Sequence, residues 1–271
     1  QTIYRHSGDY SCRIACMANP THRFQDKIVI VTGAGGGIGT AISKQFAKEG
    51  AVVIVQDVNE ANAQRTADEI AAEGGRATPI ASDISQSQQA RDLIAFAIEK
   101  YGRVDVLCNN AGINIRGPLL EISDEDWHRQ MAVNLDSMFY LSKAVVPHMQ
   151  KQGGGAIVNT ASQVSLQPAP NACVYSVSKA AVASLTQSMA RDYAPDKIRV
   201  NAVCPGEVNT PMLAEGLKRK GKTVADYDKL VPYGRIGKPE EIGSLVAFLA
   251  SDEAAFMCGS LVEIHGAQPV G

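Results

Sequence analysis

Residues 27–57 read KIVIVTGAGGGIGTAISKQFAKEGAVVIVQD, and the reading of this stretch decides the fold. It opens with the run Ile28 to Val31, passes through a glycine-rich turn, and then places Ile42 and Phe46 four apart, as on one face of a helix. A second Val/Ile run at 51–56 follows and stops at Asp57. Continuous apolar runs of this kind suit strands that are covered on both faces. Two such strands joined by a helix form a parallel unit, because parallel strands need a crossover connection.

The pattern repeats outward. Strand-like runs lie at 27–32, 51–56, 76–81, 104–108, 155–160, 198–203 and 260–264, with helical patterns at 37–49, 60–73, 86–101, 124–151, 175–193 and 239–250. This alternation predicts an α/β fold with a doubly wound parallel sheet. We expect a single domain over residues 24–271. Residues 1–23 show no period and read as a poorly ordered N-terminal extension, with Met17 a candidate natural start. The one long irregular stretch is 206–238, rich in glycine and proline and carrying Lys218-Arg219-Lys220. A connection of that length reads as a lid over a substrate.

Composition narrows the function classes. With 45% hydrophobic and 20% charged residues in 271, there is enough apolar surface for a sizeable core. A net charge of −2 supplies no footprint for nucleic acid or an anionic membrane. Cys12, Cys16, Cys108, Cys173, Cys204 and Cys258 lack the paired spacing of a zinc site, and the histidines lack ligand spacing, so no metal is expected. No run approaches the roughly 18 apolar residues of a membrane span, and the N-terminus lacks the apolar core of a secretory signal. The expected home is the cytoplasm.

The turn Gly33-Ala34-Gly35-Gly36-Gly37-Ile38-Gly39 lies between a strand and a helix. Glycines there let the backbone approach a pyrophosphate held at the helix N-terminus, although a plain tight loop has the same composition. Asp57 stands 24 residues after Gly33, where a carboxylate can accept from ribose hydroxyls; a strand-end turn is the other reading. Such a carboxylate repels a 2′-phosphate, and no Lys or Arg lies in residues 33–39 or beside Asp57, where Val58 follows, so NAD is favoured over NADP. Asp83, followed by Ile84, reads either as an adenine contact or as a helix N-cap. Tyr175 and Lys179 fall one helical turn apart, and an ammonium beside a phenol favours the phenolate, which makes Tyr175 a candidate general acid/base. Ser162 lies just past the fifth strand, at the carboxyl edge where such sheets bind ligands.

With these residues in place the chain resembles the short-chain dehydrogenase/reductase family over about residues 24–266. The matching features, in family order, are TGAGGGIG at 32–39, Asp83-Ile84, Asn109-Asn110-Ala111-Gly112, Asn134 in VNLD, Ser162 with YSVSK at 175–179, Pro205-Gly206 with Val208-Asn209-Thr210, and PEEIGSLVAFLASDEA at 239–254. The resemblance implies a sheet ordered 3-2-1-4-5-6-7, usually in a tetramer, and an oxidoreductase interconverting a secondary alcohol and a ketone. It implies Tyr175 as acid/base, Lys179 lowering its pKa and binding the nicotinamide ribose, Ser162 on the substrate oxygen, and Asn134 holding a water in a proton relay. It further implies Asn110, Ala111 and Gly112 under the adenosine side, Pro205 and Gly206 beside the cofactor, and Val208 and Thr210 on the carboxamide.

The chain departs from the family where its last strand reads Val262-Glu263-Ile264-His265-Gly266. His265 is expected to be packed or at an interface, or else to reach substrate from a neighbouring subunit. Gln163, Asn114 and Arg116 are further candidates for the pocket. Leu166, Pro168, Ala169, Pro170, Met212, Leu213 and Leu217 point to a mostly apolar pocket, hence to an apolar or cyclic substrate, aromatic or steroid-like, over a free sugar. Two other readings stay open: a 3-oxoacyl-(acyl-carrier-protein or CoA) reductase, and a non-catalytic NAD(H)-binding sensor.

Overall fold

Each apolar run becomes a strand, and the seven pair in parallel. In the computed structural model, which describes residues 22–219 and 221–269, these are β1 (Ile28–Thr32), β2 (Val52–Asp57), β3 (Arg76–Ala81), β4 (Val106–Asn109), β5 (Gly155–Thr160), β6 (Ile198–Pro205) and β7 (Leu261–Ile264). The order is β3-β2-β1-β4-β5-β6-β7, as expected. Nearly all of the proposed N-terminal extension, with Met17, Cys12 and Cys16, lies outside the described residues, as does Lys220.

Alternate residues of each strand feed opposite faces, which is why the runs carry no polar alternation. Val29 and Val31 of β1 pack on α1 (Gly37–Lys48), α2 (Glu60–Ala72) and the C-terminal helix Pro239–Ala250, through Ile42, Phe46, Ile70 and Ile242. Ile28 and Ile30 face α3 (Ser87–Tyr101), and on that side of the sheet lie Leu141, Met149 and Met189. Ile30, Ile42, Phe46 and Ile54 are fully buried, and each contributes about 1.5–3 kcal/mol relative to exposure. The order reverses beside β1, whose neighbours are β2 and β4, so the crevice of the sheet opens at the carboxyl ends of β1 and β4.

Two departures from expectation bear on the site. The helix expected at 124–151 is interrupted: α4 (Asp124–Met131) passes through a π-turn, Ala132–Asp136, into α5 (Ser137–Gln152). The stretch 206–238 is not wholly irregular, because it holds α7 (Pro211–Arg219) and α8 (Val224–Asp228). Thr210 Oγ1 accepts from the Leu213 N–H at 3.2 Å, and Thr223 and Asp226 cap α8 reciprocally. These local caps start two short helices where glycine and proline spacing alone predicts none. The helix carrying Tyr175, α6 (Cys173–Tyr193), begins two residues earlier than its period predicts. The last helix, α9 (Pro239–Ala250), has its expected bounds.

Candidate active site

At the end of β1 the chain turns with Gly33 at φ +60° and Gly37 at φ +53°, a region side chains rarely adopt. A Cβ on Gly33 would stand 2.8 Å from Ala111 Cα, and one on Gly39 would stand 2.1 Å from the Gly33 carbonyl oxygen. A Cβ on Gly36, by contrast, meets nothing within 4 Å. Gly36 is the N-cap of α1 and offers no side-chain oxygen to the first turn, so the orphan N–H groups of a twelve-residue helix begin at an open cradle. That arrangement fits a dinucleotide's pyrophosphate.

Asp57 makes the strand-end turn of one expected reading and also ties the glycine turn to β2. Its Oδ1 accepts from the Asn59 N–H at 2.9 Å, a strand-end turn, and its Oδ2 accepts from the Gly35 N–H at 3.0 Å, which joins β2 to the glycine turn. Gly35, absent from the expected site residues, is required by that approach: a Cβ there would lie 2.7 Å from Asp57 Oδ2 and 2.5 Å from Asn62 Cβ. Arg65 of α2 donates to the Gly35 carbonyl and, at 2.8 Å, to Asn62 Oδ1. Thus a cation does reach the turn, although none adjoins it in sequence. Asp83 accepts from the Ser85 N–H and hydroxyl, and Gln86, not Asp83, is the N-cap of α3. Thr32 Oγ1 accepts from the N–H groups of Asn110 and Ala111, and Asn110 Nδ2 donates back to the Thr32 carbonyl at 3.0 Å. These bonds fasten the loop after β4 to the end of β1.

α6 carries Tyr175 and Lys179 on one face. Lys179 is buried, donates from Nζ to the Thr160 carbonyl at 2.7 Å, and lies 5.9 Å from the centre of the Tyr175 ring. Ser162 caps a short 3₁₀ turn, Gln163–Ser165, and its Oγ accepts from the Val164 N–H at 3.3 Å. Burial pushes the Tyr175 phenol upward; the Ser162 hydroxyl and the Arg116 charge pull it back, and Glu207 adds to the rise. Burial also lowers Lys179 to about 8. The sequence predicts a phenol drawn down by its ammonium neighbour; in this cleft burial is the largest cause of both shifts and moves the phenol up and the ammonium down.

Asn134 sits in the π-turn, fully buried, and is the one expected catalytic or cofactor-binding residue that does not line the cleft. Its Oδ1 accepts from the Ile113 N–H at 2.8 Å, and its Nδ2 donates to the Ile113 carbonyl at 3.0 Å and to Ser178 Oγ at 3.1 Å. A Cβ on Gly112 would lie 3.4 Å from Asn134 Oδ1 and 3.5 Å from Lys179 Nζ, so the two groups flank that glycine. One turn earlier, Gln130 Oε1 accepts from the Ile115 N–H at 2.5 Å.

The other expected residues meet in one cleft of about 980 Å³: Gly33, Gly36, Gly37, Ile38, Gly39, Asp57, Val58, Asp83, Ile84, Asn110, Ala111, Gly112, Ser162, Tyr175, Lys179, Pro205, Gly206, Val208 and Thr210. Met212, Leu213 and Leu217 of α7 form part of its wall, with Ala169, whereas Leu166, Pro168 and Pro170 do not reach it. Glu207, Arg129, Tyr227 and Gln268 line it without having been foreseen; all come from loops, the lid or helix ends. His265 does not line the cleft, and its Nε2 lies 3.2 Å from Glu263 Oε1. Among the described residues no helix is long and apolar enough to cross a membrane.

Known proteins match this arrangement. The model of a family described as enoyl-(acyl carrier protein) reductase matches residues 33–266. An uncharacterised oxidoreductase of Thermotoga maritima is 44% identical over 90% of this chain and 97% of its own length. A 3-oxoacyl-[acyl-carrier-protein] reductase of the same organism is 39% identical, over 90% and 98% respectively. The structure of a 7α-hydroxysteroid dehydrogenase complexed with NADH and 7-oxo glycochenodeoxycholic acid superposes with a TM-score of 0.87 at 35% identity, covering 93% of this chain and 98% of that one.

Proposed function

The chain belongs to the short-chain dehydrogenase/reductase family of oxidoreductases, and on that premise we propose that it is an NAD-dependent enzyme interconverting a secondary alcohol and a ketone. The observation that carries this reading is the phenol of Tyr175 facing the Ser162 hydroxyl, with Lys179 one turn along the same helix, at the carboxyl edge of the sheet beside the glycine turn. NAD, when bound, supplies the hydride acceptor.

The protein's own part is then proton handling and positioning. The Tyr175 phenol gives its proton to the carbonyl oxygen in reduction, and in oxidation its phenolate takes the proton of the alcohol hydroxyl. The Ser162 hydroxyl donates to the same oxygen and restrains the phenol's upward shift. Lys179, held by the Thr160 carbonyl, keeps its ammonium near the proton path. Asn134 holds a water of the proton relay that reaches Lys179, and its paired hydrogen bonds with Ile113 fix the loop beside Gly112. Asp57 supports NAD, since a 2′-phosphate would meet its carboxylate, and Arg65 is already engaged by Gly35, Asn62 and Glu69. The apolar lid side, Met212, Leu213 and Leu217, suits a substrate with a hydrocarbon face. A homotetramer in the cytoplasm completes the reading.

The test is an initial-rate screen of secondary alcohols with NAD and NADP in parallel, repeated with Tyr175→Phe. Loss of the acid/base is expected to lower turnover by about 10²–10⁴-fold. A Tyr175→Phe variant that keeps wild-type rates would overturn the mechanism, and equal use of NADP would overturn the assignment of Asp57. The similarity to a 3-oxoacyl-[acyl-carrier-protein] reductase makes a 3-oxoacyl thioester a necessary arm of the same screen.

A further inference from the structure

Gly206, which follows β6, does not have a positive φ, so its backbone would accept a side chain. Crowding is what excludes one. A Cβ there would stand 2.6 Å from His265 Cβ, 2.8 Å from Gln163 Oε1 and 3.1 Å from Gln268 Oε1. Polar residues from two distant parts of the chain therefore converge on one point: Gln163 follows Ser162, while His265 and Gln268 follow β7.

Gln163 lines the cleft, is only 8% exposed, and its Oε1 is buried without a hydrogen-bond partner. Gln268, also on the cleft, accepts through Oε1 from the Glu207 N–H at 3.2 Å. Glu207 lines the same cleft, close enough to Tyr175 to raise its phenol. A buried amide oxygen left unpaired costs about 1–3 kcal/mol, and an enzyme carries that cost where a ligand completes the bond.

We infer that Gln163, with Glu207 and Gln268 beside it, forms a subsite for a second substrate oxygen, and that the substrate is a secondary alcohol or ketone with a hydroxyl on the neighbouring carbon. Ser162 and Gln163 are consecutive and line the same cleft, so an oxygen held by each can belong to one substrate. The acceptor in this wall without a partner is Gln163 Oε1. Hydroxyl donors match it, whereas a substrate carboxylate would face Glu207. Met212, Leu213 and Leu217 take the hydrocarbon remainder. The inference rests on the reading of Tyr175 as the acid/base of an alcohol oxidation.

The experiment compares kcat/KM for cyclohexane-1,2-diol and cyclohexanol in the wild type, Gln163→Leu and Gln268→Leu, with the matching ketones run in reverse. The wild type is expected to prefer the diol at least about tenfold, the worth of one good hydrogen bond. The preference is expected to fall toward one in Gln163→Leu and part of the way in Gln268→Leu. A wild-type ratio near one, or a Gln163→Leu variant that slows both alcohols by the same factor, overturns the subsite alone. Failure to turn over either alcohol or either ketone overturns it together with the oxidoreductase reading. If Gln163→Leu does not fold, the wild-type ratio and the half-buried Gln268 still decide.

Discussion

At the nucleotide end of the cleft, backbone meets backbone; at the substrate end, side chains meet from segments far apart in sequence. The turn at residues 33–39 fits because Gly33 lies against Ala111 and Gly39 against the Gly33 carbonyl, with no room for a methyl at either place. The substrate end joins Gln163, Glu207, Gln268 and the apolar side of α7, none of which is held by main-chain contact to another in that way. One end tolerates almost no chemistry but its own. The other can change residue by residue, so the fold keeps its cofactor site while the substrate varies.

The largest expected effect tests the backbone end. Gly39→Ala places a methyl 2.1 Å from a carbonyl oxygen, and a loss of about 3 kcal/mol in urea unfolding is expected, as for severe overpacking. Gly36→Ala, with φ −171° and open space around it, should keep the wild-type midpoint and lose NADH affinity instead. Equal destabilisation by the two would break the comparison.

Lys179 tests the side-chain end. Its folded pKa of about 8 lies below the ordinary 10.5, so above pH 8 the unfolded chain holds more protons than the folded one, and stability rises with pH through that window. Relative to Lys179→Met, the wild type should therefore gain about 2 kcal/mol between pH 8 and 10. Tyr175, raised by burial, is present in both proteins, so its own titration cancels in the comparison. A constant difference between the two proteins across the window would show that Lys179 is not desolvated.

Smaller effects sharpen the contrast. Asp57→Ser removes the carboxylate tied to Gly35, and about a tenfold fall in kcat/KM with NAD is expected, with NADP use rising. Unchanged cofactor preference would move the discrimination to Arg65. Leu217→Ala trims a buried lid residue that lines the cleft, and a several-fold rise in KM at nearly constant kcat is expected. A fall in kcat alone would place α7 in the chemistry rather than in substrate binding.

Much of the molecule was legible from local pattern. Continuous Val/Ile runs mark strands covered on both faces, and β1, β2 and β5 lie within a residue of their expected bounds. Pro239 with Glu240 and Glu241 marks the start of α9, where Glu241 accepts from the Lys238 N–H at 2.7 Å and pairs with Arg235. The π-turn at Ala132–Asp136 was not legible, because a helical period changes little when one turn widens; Asn134, a poor helix former at a buried position, is the only trace of it. α7 left a signal that glycine and proline counting obscures: a Thr210 cap, Pro211 in the first turn, and Leu213 and Leu217 four apart.

By itself the sequence determined the alternation of strands and helices, the glycine turn, and the pairing of Tyr175 with Lys179, since each depends on residues within one or two turns of each other. Only the tertiary structure decided that Arg65 reaches Gly35, that Asn134 fastens the loop at Ile113, and that Gln163 meets the tail beyond β7 at Gly206. It also decided the direction of the two key pKa shifts, because burial, the largest cause of both, is a property of the packed molecule and not of four-residue spacing.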